Sequence, residues 1–217
     1  MILWLTRVLP PRALRRKTAL AFGLAAVATA VAPHLAAAQN ITFDNVTYSE
    51  FKLGILDHDV HFLGGKEGGV DVNPEIIFQS PITDSWAATV PPYLRWIVQP
   101  RPTIGGEINT YGFTNQAYFG ATWSWQLASN VLQPNDGVTL SFFEGPGFND
   151  GDISVPLGVT DRKALGSHVL FREALELGYR INPVWTISAF LDHVSDAGLA
   201  KQNQSINDVG GRLGFHF

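Results

Sequence analysis

From Asp208 to Phe217 the chain alternates at every residue. Val209, Gly211, Leu213, Phe215 and Phe217 fall on one face, and Asp208, Gly210, Arg212, Gly214 and His216 on the other. Period two is the signature of a strand with unlike faces. The segment before it keeps the same parity: Trp185, Ile187, Ala189 and Leu191 are apolar, and His193 and Ser195 continue that face. A base and a hydroxyl therefore extend an apolar stripe.

The first 38 residues read as an export leader. Arg12, Arg15, Arg16 and Lys17 form a basic start, Thr18 to Ala32 is a small apolar stretch, and Ala36-Ala37-Ala38 fits the small-x-small cleavage pattern. Cleavage after Ala38 leaves a single domain, 39–217. The leader holds five of the 15 basic residues and none of the 19 acidic ones, so the remainder has 10 against 19, a net charge of −9. That balance excludes nucleic acid as a partner, because phosphate binding needs basic surface. With no cysteine in the chain, disulfides and thiolate sites are excluded too.

Past the leader, short runs of Phe, Trp, Tyr, Val and Ile are separated by Gly, Pro, Asn and Asp. Such punctuation predicts strands. Eight are expected: 48–57, 69–79, 93–110, 115–127, 137–143, 167–181, 184–195 and 207–217. Aromatics near strand ends (Trp96, Trp123, Trp125, Tyr179, Trp185) suit interface girdles, and a strand-terminal Phe217 suits recognition by the barrel assembly machinery. The fold class predicted is all-β, an eight-stranded antiparallel transmembrane β-barrel. A soluble lipocalin-like binder is the competing all-β reading.

With both termini on the inner side, 58–68, 144–165 and 196–206 form the outer loops, and Asn182-Pro183 makes a tight inner turn. His193 lies eight residues beyond Trp185, which at about 3.3 Å per residue and a tilt near 40° places it roughly 20 Å along the membrane normal. His193 and Ser195 then face lipid at the outer leaflet. Residues i and i+2 share a face with Cα atoms about 6.5 Å apart, a gap that an imidazole can bridge to a hydroxyl. His193 can then serve as base and Ser195 as nucleophile toward an ester. His58-Asp59 with His61 has a metal-like composition, but its loop position favours a hydrated polar cluster, so no metal and no cofactor is expected.

The segment Leu191-Asp192-His193-Val194-Ser195-Asp196-Ala197-Gly198-Leu199 resembles the PagL-type lipid A 3-O-deacylases, whose motif is His-x-Ser-Asn. His58-Asp59-Val60, Gly69-Val70-Asp71-Val72-Asn73, Pro100-Arg101-Pro102 with Gly105 and Ile108-Asn109, Leu175-Glu176-Leu177-Gly178-Tyr179-Arg180 and Gly211-Arg212-Leu213-Gly214-Phe215 agree with the wider family. The resemblance implies an outer-membrane esterase of a Gram-negative bacterium that removes the 3-O-linked hydroxyacyl chain of lipid A without a metal. Lipid A and the outer-membrane bilayer would be its partners, and a homodimer stays open. A non-catalytic OmpA-like barrel, or a catalytically lapsed relative, is the alternative.

Two positions depart from the family pattern. The acid that orients the histidine from the following strand is matched by Asn207, with Asp208 expected to point inward, and the residue after the serine is Asp196. A carboxylate near a developing oxyanion opposes catalysis unless it turns away. Register arithmetic offers a second acid. A three-residue connection pairs Ile181 with Trp185, which sets Glu173 directly opposite His193 on the outer face; the next allowed register sets it opposite Ser195. Asn207 and Glu173 are therefore the two candidates to orient the histidine.

Overall fold

The computed structural model describes residues 40–217. The expected leader lies outside the described residues. Nine strands form: β1 (Asn40–Asn45), β2 (Glu50–Asp57), β3 (Val70–Ile77), β4 (Arg101–Asn109), β5 (Gln116–Ser129), β6 (Gly137–Asn149), β7 (Val169–Arg180), β8 (Trp185–Ser195) and β9 (Ile206–His216). Strands β2 to β9 pair antiparallel in sequence order. The pairing of β2 with β9, from Glu50↔His216 to Asp57↔Val209, closes them into an eight-stranded barrel. Closure leaves no open edge, the condition for strands to cross a bilayer.

Burial is inverted relative to a water-soluble protein. Inward side chains include Glu50, Lys52, Glu75, Arg101, Glu107, Arg172, Glu176, Asp192 and Arg212, whereas Ile55, Ile104, Ile108, Phe119, Leu175, Ile187 and Leu213 lie exposed outside. Only hydrocarbon makes that exterior favourable. Among the described residues no helix is long and apolar enough to cross a membrane.

Four expectations need correction. The segment from Asn40 was not anticipated, and it pairs as β1 with the last residues of β5, from Asn40↔Ser129 to Asn45↔Trp125. The third expected strand begins at Arg101 rather than 93, because Pro91 and Pro92 start a single 3-10 turn over Pro92–Leu94. The strand expected to end at Phe143 runs on to Asn149 through Gly145-Pro146-Gly147. There β5 and β6 approach so closely that a Cβ on Gly145 would stand 2.2 Å from the Phe119 carbonyl oxygen, so these turn-prone residues serve packing.

The fourth concerns the aromatic girdle. Trp125 points outward but is buried, covered by the β3–β4 connection, which also carries a short helix α1 (Asp84–Ala87). Trp125 Nε1 donates to the Trp96 carbonyl at 2.7 Å, the two rings lie 5.9 Å apart, and Trp123 Nε1 donates to the Ile97 carbonyl at 2.7 Å. The connection therefore folds back against the outer face of β5.

Candidate active site

The far ends of β7, β8 and β9, away from Asn40 and Phe217, position the predicted pair. In β8 the even residues Phe190, Asp192 and Val194 are buried, so His193 and Ser195 face outward, where both are half-buried. His193 Nε2 lies 3.1 Å from Ser195 Oγ, and Nδ1 lies 2.8 Å from Asn207 Oδ1. An amide oxygen can only accept, so Nδ1 carries the proton and Nε2 presents its lone pair to the serine hydroxyl. Ser195, His193 and Asn207 thus form a relay with the polarity needed to remove a proton from Ser195 Oγ.

The registers put both candidate partners beside the ring. His193 pairs with Glu173 of β7 on one side and with Asn207 of β9 on the other. The Glu173 position is the one that turn length predicts. Its side chain is exposed, and it makes no hydrogen bond among the described residues. Glu144 of β6 pairs with Glu173 in turn, so a polar row crosses four strands of the outer surface.

Asp196 is turned away from the serine. Its carboxylate accepts the backbone N–H groups of Gly198 at 2.8 Å and Ala200 at 2.9 Å, folding the outer loop on itself. Asp208 points inward with no bulge in β9, as parity requires.

His58 and Asp59 differ from the expectation. Both are fully buried rather than hydrated, and His61 stands apart, exposed on a 3-10 turn. His58 Nδ1 lies 2.7 Å from Asp71 Oδ2 and Nε2 lies 3.2 Å from Glu67 Oε2. Burial opposes a charged imidazole, but these hydrogen bonds and the charge of Asp208 hold the His58 pKa up to about 11. Burial likewise opposes charge on Glu67, but hydrogen bonds from His58 and from the Lys163 and Thr114 amides hold its carboxyl down to about 2. Parity marks Asp71, Asp192 and Asp208 as inward in the sequence, and Asp192 and Asp208 meet as register partners on adjacent strands; the approach of Glu107 to both from β4 carries no local signal.

A closed eight-stranded barrel with polar lumen, apolar exterior and an outward Ser–His pair defines a class: small membrane-spanning β-barrels of the outer-membrane type. The sequence profile of the lipid A 3-O-deacylases (PagL) matches residues 103–216, more than half of the chain, and the protein belongs to that family. Among solved structures, the outer membrane enzyme PagL is 13% identical with a TM-score of 0.54, covering 76% of this chain and 97% of its own. The N-terminal β-barrel domain of Pseudomonas aeruginosa OprF is 10% identical with a TM-score of 0.46, covering 80% of this chain and 100% of its own. No curated protein matches the chain.

Proposed function

We propose that this chain is an outer-membrane esterase that hydrolyses the 3-O-linked hydroxyacyl chain of lipid A. The observation that carries this reading is the Ser195–His193–Asn207 relay on the lipid-facing surface, in a member of this family. Ser195 Oγ attacks the ester carbonyl while His193 Nε2 takes its proton. The imidazolium then protonates the departing sugar oxygen, leaving an acyl group on Ser195. Water, deprotonated by His193, releases the hydroxy fatty acid and restores the serine.

Asn207 holds the tautomer and ring orientation, and the Glu173 charge favours the imidazolium from the opposite side without a hydrogen bond. Phe171, the register partner of Ser195, and Leu191 are exposed beside the pair and suit an acyl chain. In the same reading residues 1–38 direct export and are removed, Phe217 addresses the barrel assembly machinery, and the enzyme works in the outer membrane of a Gram-negative bacterium.

Mass spectrometry of lipid A from cells with and without the protein tests the reaction. Loss of one hydroxyacyl mass is expected, with the rate falling by about 10³-fold or more in Ser195→Ala. Unchanged lipid A would sink the proposal. An amide where the family keeps an acid favours a second reading, a lapsed deacylase that survives as a structural barrel. In that case Asn207→Asp should create an activity that the parent chain lacks.

A further inference from the structure

The lumen holds two groups of buried charges. In the half nearer Phe217, Glu50, Glu75 and Glu176 face Lys52, Arg101 and Arg212, three against three. Each carboxylate there has a cationic partner: Arg101–Glu50 at 2.7 Å, Lys52–Glu176 at 2.6 Å, Arg212–Glu176 at 2.9 Å, and Arg212 with Glu75. The half nearer the candidate active site is unbalanced. Among the described residues, Asp59, Glu67, Asp71, Glu107, Asp192 and Asp208 face only His58, Lys163 and Arg172, all of them buried. Buried charge without compensation is strongly unfavourable, and proteins relieve it by pairing, by taking up a proton or by binding a metal ion.

Following the partners locates the deficit. His58 faces a carboxylate with each ring nitrogen, so both carry protons and the ring acts as a cation, not a ligand. Lys163 Nζ lies 3.1 Å from Asp59. The Arg172 guanidinium reaches Glu107 at 2.7 Å and Asp192 at 2.6 Å. Asp208 keeps only a longer ionic contact, from Oδ1 to His58 Nδ1 at 3.5 Å, on a ring already shared by two other carboxylates. Its Oδ1 also accepts the Asp59 N–H at 2.6 Å, while among the described residues Oδ2 has no hydrogen-bond partner although the residue is 0% exposed. Glu107, Asp192 and Asp208 each offer an oxygen within 4.8 Å of the others'.

We propose that Glu107, Asp192 and Asp208 bind one hard divalent cation of the calcium class inside the barrel. Three carboxylates beside one guanidinium carry −2, the charge that one such ion neutralises. All-oxygen donors select this class over zinc, and oxygens up to about 5 Å apart can share an ion coordinated at 2.3–2.6 Å. Calcium accepts irregular protein cages, whereas magnesium keeps its waters and demands an octahedron. The ion ties β4 across the lumen to β8 and β9, directly behind the strand ends that carry His193 and Asn207. Its role is structural, and the proton relay does not pass through it.

The test uses the whole barrel chain, purified in a zwitterionic detergent and freed of lipopolysaccharide, whose phosphates also bind calcium. After exposure to calcium chloride and desalting, elemental analysis should find about one calcium per chain. The melting temperature in calcium should exceed that in EDTA by about 5 °C or more. Asp208→Asn and Glu107→Gln should lose both effects. If Asp208→Asn does not fold, the metal content of the unmodified protein and of Glu107→Gln decides. A protein that retains neither calcium nor magnesium and melts identically in EDTA overturns the proposal, since protons would then neutralise the carboxyls. Equal retention by the parent and both variants also overturns it, placing the ion elsewhere. Neither readout involves deacylation, so the site can fail while the esterase reading stands, and the reverse.

Discussion

His193 has a hydrogen-bonding neighbour at each ring nitrogen, and what distinguishes this site is the chemistry of one of them. Asn207 Oδ1 accepts from Nδ1 as a carboxylate would, so the tautomer is kept and only the stabilising charge is missing. Asn207→Ala should therefore lower the deacylation rate by about 10²-fold, through loss of orientation, while Asn207→Asp should raise it by about tenfold, or 1.4 kcal/mol. Single-turnover rates on purified lipid A would check both signs. Glu173→Gln isolates the opposite side of the ring. With no hydrogen bond to lose, the expected fall is only about two- to fivefold, the size of an exposed charge interaction. A loss as large as that of Asn207→Ala would make Glu173 the principal partner. Which of the two register neighbours the imidazole turns toward is a side-chain choice that pairing arithmetic alone leaves open.

The β3–β4 connection shows how an element escapes a strand-period reading. Its Pro, Trp and Tyr residues have no sustained alternation, and its position is set by contacts with Trp123 and Trp125 on a strand over twenty residues later. Trp125→Ala removes a buried ring, its indole hydrogen bond and its contact with Trp96, and should cost about 3–4 kcal/mol of unfolding free energy. Released from β5, the connection should also be cut faster by trypsin at the exposed Arg95. Urea titration in lipid vesicles and timed proteolysis would measure the two effects.

At the scale of the whole barrel, stability depends on buried ionic groups, so it depends on pH. The Glu67 carboxyl is held down to about 2 in the folded chain against an ordinary value of 4.5. Its contribution is complete above 4.5 and is lost as the pH falls through 2, an effect on the order of 3 kcal/mol. Unfolding free energies at pH 7 and pH 3 should therefore differ more in the parent protein than in Glu67→Gln. Equal differences would show that Glu67 has no part in acid sensitivity. The strand parity of His193, Ser195, Asn207 and Asp208 was legible in the sequence by itself, because side chains alternate with a period of two. The opposition of Glu173 and His193 was legible for a similar reason, since a tight turn sets the register of the strands it joins. Closure of the barrel decided the rest. It brings Glu107 of β4 to Asp192 and Asp208, lays the β3–β4 connection over β5, and buries His58 and Asp59. Those contacts join residues far apart in the chain, and local periodicity carries no information about which distant strands meet across a lumen.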